Sequence, residues 1–187
     1  RAWSALGREL FRQNRLDDAL RCHERAVSYR MPIAEFHAGF AHCLRDVGRL
    51  DEAKQQYELA IKFKPVLSEA HNGLGVVLDK LGRYEVACEA FRQAHALGLP
   101  EARYNLANAH IKLGQPAVAL PLLETTVLEF PEFALAARRL AWVLATAPDA
   151  AIRDGERAER LLKVHYVLEE NDSPYVWDTF AAVFAEQ

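Results

Sequence analysis

Between Ala34 and Pro65 the chain carries two apolar stripes at helical spacing. Phe36, Phe40, Ala41 and Leu44 recur so that one side of a helix is apolar. Gly48 follows the run and suits the left-handed position past a helix end. Asp51 opens the next run as a first-turn acid or cap. Ala53, Tyr57, Ala60 and Ile61 form a second stripe, and Pro65 ends it because proline cannot continue the helical hydrogen bonds. Two short helices cannot bury both stripes against each other alone. The pattern therefore predicts a further unit of the same kind stacked beside it.

Such units recur. A small residue of the first helix returns as Gly7, Ala41, Gly75, Ala107, Ala141 and Ala181, at gaps of 34, 34, 32, 34 and 40. An alanine of the second helix returns as Ala19, Ala53, Ala87, Ala119 and Ala158, at gaps of 34, 34, 32 and 39. The turn glycine returns as Gly48, Gly82 and Gly114, with Asn14 in the first copy. Trp3, Leu6, Gly7, Leu10, Ala19 and Ala26, and again Leu74, Gly75, Leu78, Ala87, Phe91 and Ala94, resemble the tetratricopeptide repeat pattern W-x2-L-G-x2-Y, A-x3-F, P. The resemblance covers essentially the whole chain. It implies an all-α fold, a right-handed α-solenoid of stacked antiparallel helix pairs with five repeats plus the first helix of a sixth. The repeats fall at about 1–33, 34–67, 68–99, 100–132 and 133–173, with a partial one at 174–187. All belong to a single solenoid domain.

Some segments depart from the period. The first repeat reads as helices near 1–14 and 17–30, and Ser68 with Glu69 reads as a helix start. The junction at Leu97-Gly98-Leu99-Pro100 is two residues short, because Ala87 to Ala107 is 20 residues where the intervals from Ala19, Ala53 and Ala119 are 22. Pro116 suits a first helical turn, whereas Pro121 lies deeper and predicts a bend or a broken hydrogen bond. Ala141 to Ala158 spans 17 residues against 12 elsewhere, so Thr146 to Gly155 holds five extra residues. That insertion is expected to project and to move more than the other turns, with Asp154 or Gly155 starting a helix to about Glu169. The run LAWVLATAPDAAIRDGERA resembles a variant of bacterial repeat proteins. Phe180, Val183 and Phe184 form a last apolar stripe with no following helix to cover it, so self-association through this uncapped C-terminal helix is expected.

Composition narrows the class. Hydrophobic residues make up 51%, and the formal net charge of -3 lacks the basic excess of a nucleic-acid binder. No run approaches the roughly 20 apolar residues of a membrane span. The chain opens and closes inside helix patterns and so reads as a piece of a longer protein. Cys22, Cys43 and Cys88 are few, odd in number and scattered, which fits apolar fillers in a reducing, cytoplasmic setting. His37 and His71 stand where the first repeat has Trp3 and should pack against neighbouring helices. No metal-ligand spacing occurs, and Gly73-Leu74-Gly75 lies inside a helix pattern rather than after a strand. Asp17-Asp18, Asp51-Glu52 and Glu169-Glu170 sit at helix ends as dipole-matching charges. Neither a cofactor nor a catalytic group is predicted.

In tetratricopeptide proteins the first helix of each repeat lines the concave surface. Carried over position by position, the resemblance implies a peptide-binding face made of Arg8, Arg12, His42, Arg45, Asn72, Tyr104, Asn105, Asn108, Arg138, Arg139 and Trp142. Some members grip a peptide C-terminal carboxylate with Lys, Asn and Arg; here only Asn105 and Arg138 match such positions, and Val76 and Trp142 depart from them. The arginines suggest a peptide of acidic character, unless Glu69, Asp79 and Glu101 neutralise them. The implied function is non-catalytic binding of a protein or extended peptide. The alternative is the substrate-recognition arm of a larger glycosyltransferase- or sulfotransferase-like enzyme whose catalytic domain lies outside this segment.

Overall fold

The computed structural model describes residues 2–28, 33–166 and 181. The described residues form ten α-helices and no strand: α1 (Ala2–Arg12), α2 (Leu16–Ser28), α3 (Ala34–Asp46), α4 (Leu50–Phe63), α5 (Ser68–Lys80), α6 (Tyr84–Ala96), α7 (Glu101–Lys112), α8 (Pro116–Glu129), α9 (Ala134–Thr146) and α10 (Gly155–Tyr166). The stripe of Phe180, Val183 and Phe184 lies outside the described residues, as does the sixth repeat apart from Ala181. None of the described helices is long and apolar enough to cross a membrane. The chain divides into two compact units, Arg1–Asn105 and Leu106–Gln187, with the division inside α7.

Backbone geometry sets the tight turns within repeats. Gly48, Gly82 and Gly114 have φ of 83°, 74° and 70°, and Asn14 takes the same region at 58°. Asparagine tolerates it better than other side chains. At Gly48 the glycine N–H donates to Arg45 O at 3.1 Å and the next N–H, of Arg49, donates to Leu44 O at 2.8 Å. This paired closure satisfies carbonyls that the end of α3 leaves open. The outer bond recurs as Arg15 to Leu10, Arg83 to Leu78 and Gln115 to His110, each at 2.9 Å. The same residue then begins the next helix, and Arg15 and Arg49 reach forward to Asp18 and Glu52.

Side-chain caps play little part in this. Arg49 and Leu67 hold the N-cap positions of α4 and α5 without a side-chain cap bond. Asp51 is thus a first-turn acid, and α5 starts at Ser68, where the sequence placed a helix start. The two-residue deficit before the fourth repeat is absorbed by helix length: α6 has 13 residues against 14 in α4, and α7 has 12 against 13 in α5. Gly98, at φ 86°, turns the chain there. α8 includes Pro121, which has no N–H to give to Ala117 O, and the helix continues past it.

The insertion in the fifth repeat keeps the closure of the shorter turns. Asp154 N–H donates to Leu144 O at 2.9 Å, the bond that Arg49 makes to Leu44, now across ten residues instead of five. Asp154 Oδ1 accepts the N–H of Arg157 at 2.9 Å, so Asp154 caps α10. Inside the loop, Asp149 Oδ1 accepts the Ala151 N–H, and the Arg153 guanidinium donates to Ala147 O at 3.1 Å. The extra residues are looped out but tied down by their own hydrogen bonds, in contrast to a freely projecting segment.

Small residues and rings interlock in the core. Ala19, Ala53, Ala87, Ala119 and Ala158 are wholly buried. Four residues after each stands a large buried side chain: His23, Tyr57, Phe91, Leu123 and Leu162. In unit 1 these rings fill space that glycines leave open. A Cβ on Gly75 would lie 2.5 Å from Phe91 Cε1, and one on Gly73 would overlap the Tyr57 ring. A continuous cluster from Leu10 through Cys43, Leu44 and Tyr57 to Val77 binds the unit 1 repeats together. Burying each large apolar side chain contributes about 1.5–3 kcal/mol.

Candidate ligand-binding faces

In unit 1, α3 packs beside both α1 and α5. The first helices of the first three repeats are therefore neighbours. Arg8 and Arg12 are exposed on α1, while His42 and Arg45 on α3 are half-buried. Arg12 Nη1 lies 3.2 Å from Glu9, and Arg45 Nε lies 2.7 Å from Asp46. The carboxylates that engage these arginines come from their own helices, rather than from Glu69, Asp79 or Glu101. Arg8 has no ion-pair partner among the described residues.

His42 stands edge-on to Tyr57, with ring centroids 5.5 Å apart at 85°. Burial, then the neighbouring Arg45 charge, lowers its pKa below the ordinary histidine value, so the ring is neutral near pH 7. Burial and Asp46 raise the Cys43 thiol pKa to about 11, which makes this cysteine a poor nucleophile. Asn105 Nδ2 donates to Asn72 Oδ1 at 2.9 Å, joining α7 to α5. That bond fixes both amide planes. It leaves the Asn72 amino group, one Asn105 N–H and the Asn105 oxygen for a ligand. Tyr104 is half-buried beside them in sequence.

Unit 2 carries the rest of the implied face. Asn108 is half-buried, and its Oδ1 is buried without a hydrogen-bond partner. On α9 the Arg139 guanidinium lies 5.8 Å from the centre of the Trp142 ring. This cation–π contact holds the indole against the helix. Arg138 is half-buried.

Of the two histidines expected to pack against neighbouring helices, His37 does so. His37 is buried, with Nδ1 2.8 Å from Gln56 Oε1 and its ring 5.3 Å from that of Phe63. His71 Nε2 lies 2.8 Å from Pro65 O; a carbonyl only accepts, so the proton is on Nε2. Among the described residues no three His, Cys, Asp or Glu side chains group as metal ligands. Two features escaped the sequence reading. One is a pocket of about 620 Å³ between α1 and α2, floored by Trp3, Leu6 and Leu10, where the Arg25 guanidinium lies 4.9 Å from the Trp3 ring centre. It shares no residue with the implied face. The other is His23, buried with neither ring nitrogen hydrogen-bonded. The A-x3-F spacing that places it four residues after Ala19 was the signal for it.

Family models described as tetratricopeptide repeat match residues 4–66 and 104–166 in one case and 68–98 in another. No curated protein matches the chain in sequence. Among solved structures, PilF of Pseudomonas aeruginosa is 18% identical, covers 99% of this chain and 87% of its own, and superposes with a TM-score of 0.81. MamA of Desulfovibrio magneticus RS-1 is 20% identical over 92% of this chain and 96% of its own, with a TM-score of 0.75. YrrB, described as a TPR protein with an unusual peptide-binding site, is 24% identical over 88% of this chain and 92% of its own, with a TM-score of 0.62. At these identities the likeness is one of fold.

Proposed function

The chain belongs to the tetratricopeptide repeat family, whose members serve as protein-interaction scaffolds, and on that premise we propose that unit 1 binds an extended peptide across its first helices. The hydrogen bond between Asn105 and Asn72 carries the reading. Two amides held in one orientation offer donors and an acceptor to a peptide main chain whatever its side chains. Because they are already ordered, binding loses little further side-chain entropy. Neighbouring helices lie about 8–10 Å apart, and an extended chain advances about 3.3 Å per residue. A peptide crossing the helices therefore meets a new one every third residue or so.

The acidic preference rests on Arg8, the exposed arginine of the implied face that has no ion-pair partner among the described residues. A ligand carboxylate would have to displace Glu9 to reach Arg12 and Asp46 to reach Arg45. In unit 2, the Trp142 surface under Arg139 supplies a separate apolar and cationic contact of the kind enriched in binding hot spots. The chain acts by binding, without catalysis of its own.

A panel of short acidic, neutral and basic peptides tests this by fluorescence anisotropy. Acidic members are expected to bind saturably. Asn105→Ala is expected to weaken binding by about 1–3 kcal/mol, the effect of leaving a polar partner unmatched, without unfolding the protein. Arg8→Ala should narrow the gap between acidic and neutral peptides. No saturable binding across the panel, or affinity unchanged in both variants, contradicts the assignment.

A further inference from the structure

His23 occupies the ring position of the first repeat, which Tyr57, Phe91, Leu123 and Leu162 hold in the others. It is the one titratable imidazole among these five side chains, and it is 1% exposed. Two helices grip its ring. A Cβ on Gly7 of α1 would lie 2.7 Å from His23 Nε2, and a Cβ on Gly39 of α3 would lie 2.8 Å from its Cε1. The ring therefore sits in a slot that both glycines leave open. Neither Nδ1 nor Nε2 has a hydrogen-bond partner among the described residues. The charges acting on the ring are Arg8 of α1 and His42 of α3, the first cationic and the second becoming so on acidification.

We propose that His23 is an acid-sensitive latch: the neutral ring locks the α1–α2 hairpin onto α3, and protonation releases that hairpin from unit 1. A neutral imidazole loses one donor and one acceptor to burial. An imidazolium in the same slot has two N–H donors, no acceptor for either, and the Arg8 guanidinium close enough to repel it. The released hairpin exposes the ring to water, where the charged form is solvated.

Burial first, then Arg8 and His42, lowers the His23 pKa from 6.5 to about 4. The released state thus binds the proton more readily than the packed state. The latch is fully closed above pH 6.5 and weakens as pH falls from 6.5 toward 4. With these two values, the opening equilibrium at pH 5 is about twenty-fold larger than at pH 7. This device stands whether or not unit 1 binds a peptide.

Hydrogen exchange on the intact chain at pH 7 and pH 5, corrected for the intrinsic pH dependence of exchange, tests it. Protection across α1 and α2 should fall about twenty-fold at pH 5, while α5 and α6, built around Phe91, keep theirs. His23→Phe installs the residue of the third repeat and should abolish the difference. His23→Leu, the residue type at positions 123 and 162, is the second variant should the first fold poorly. Carbon-13 NMR titration of the wild-type ring needs no variant. Titration of His23 near 6.5 overturns the proposal, as does equal loss of hairpin protection in wild type and a folded variant. Titration well below 6.5 with loss confined to α1 and α2 supports it.

Discussion

Tyr57 and Phe91 occupy the same position one repeat apart, yet only Tyr57 carries a hydroxyl, and that hydroxyl is buried without a partner. Burial raises its pKa, so the phenol stays protonated throughout the working range. Tyr57→Phe removes an unsatisfied polar group while keeping the ring. It is expected to leave stability unchanged or raise it by up to about 1 kcal/mol, read from the urea midpoint at constant slope. The glycines give the opposite case. Gly75→Ala would drive a methyl group into Phe91 and is expected to cost about 1–3 kcal/mol through overpacking. Gly82→Ala meets open space, but φ is 74°, so its cost of about 1 kcal/mol is conformational alone. If the two alanine variants lose equal stability, the socket account is wrong. Residue identities at these positions were visible in the sequence as small and large markers. What could not be read was which glycine faces which ring, because that depends on how neighbouring helices approach. His23 shows the limit most clearly. Its spacing after Ala19 put it in the core series, yet a histidine in isolation suggests a surface or a ligand more readily than a wedge between two glycines.

At the level of helices and turns, the periodic pattern located all ten described helices, since each stripe needs cover from the next. Their ends were less legible. Ser68 did mark the start of α5, but the turns within repeats are closed by backbone bonds around Gly48, Gly82 and Gly114. Backbone closure leaves only the glycine as its trace in sequence. The fifth-repeat insertion was counted correctly as extra length, but its tethering was not visible. Because Asp154 N–H still reaches Leu144 O, the residues between are dispensable in principle. Deleting residues 148–152 together with Arg153→Gly should restore the short turn and change stability by no more than about 1 kcal/mol. The same deletion with Arg153 retained should cost about 1 kcal/mol more, because Arg153 would then sit at the left-handed position. Thermal unfolding of both variants checks this; equal stability would show that the deleted turn does not close like the others.

For the molecule as a whole, the repeat period established family and architecture, whereas the residues of the implied ligand face came only by position within the repeat. The structure changes their weights. Arg12 and Arg45 are engaged on their own helices, which leaves Arg8 as the arginine of the implied unit 1 face with no ion-pair partner among the described residues. The Asn105–Asn72 bond could not be read in advance, because it joins residues 33 apart across two repeats. The central claim is that these two amides receive a peptide main chain. NMR of their side-chain amide resonances, during titration with the tightest acidic peptide of the panel, tests it most directly. The account predicts that both amide pairs shift together and saturate with the binding isotherm, accompanied by the Arg8 side chain, while resonances lining the α1–α2 pocket stay in place. Saturable binding that leaves Asn72 and Asn105 unmoved and shifts the Trp3 and Leu6 pocket instead would contradict it.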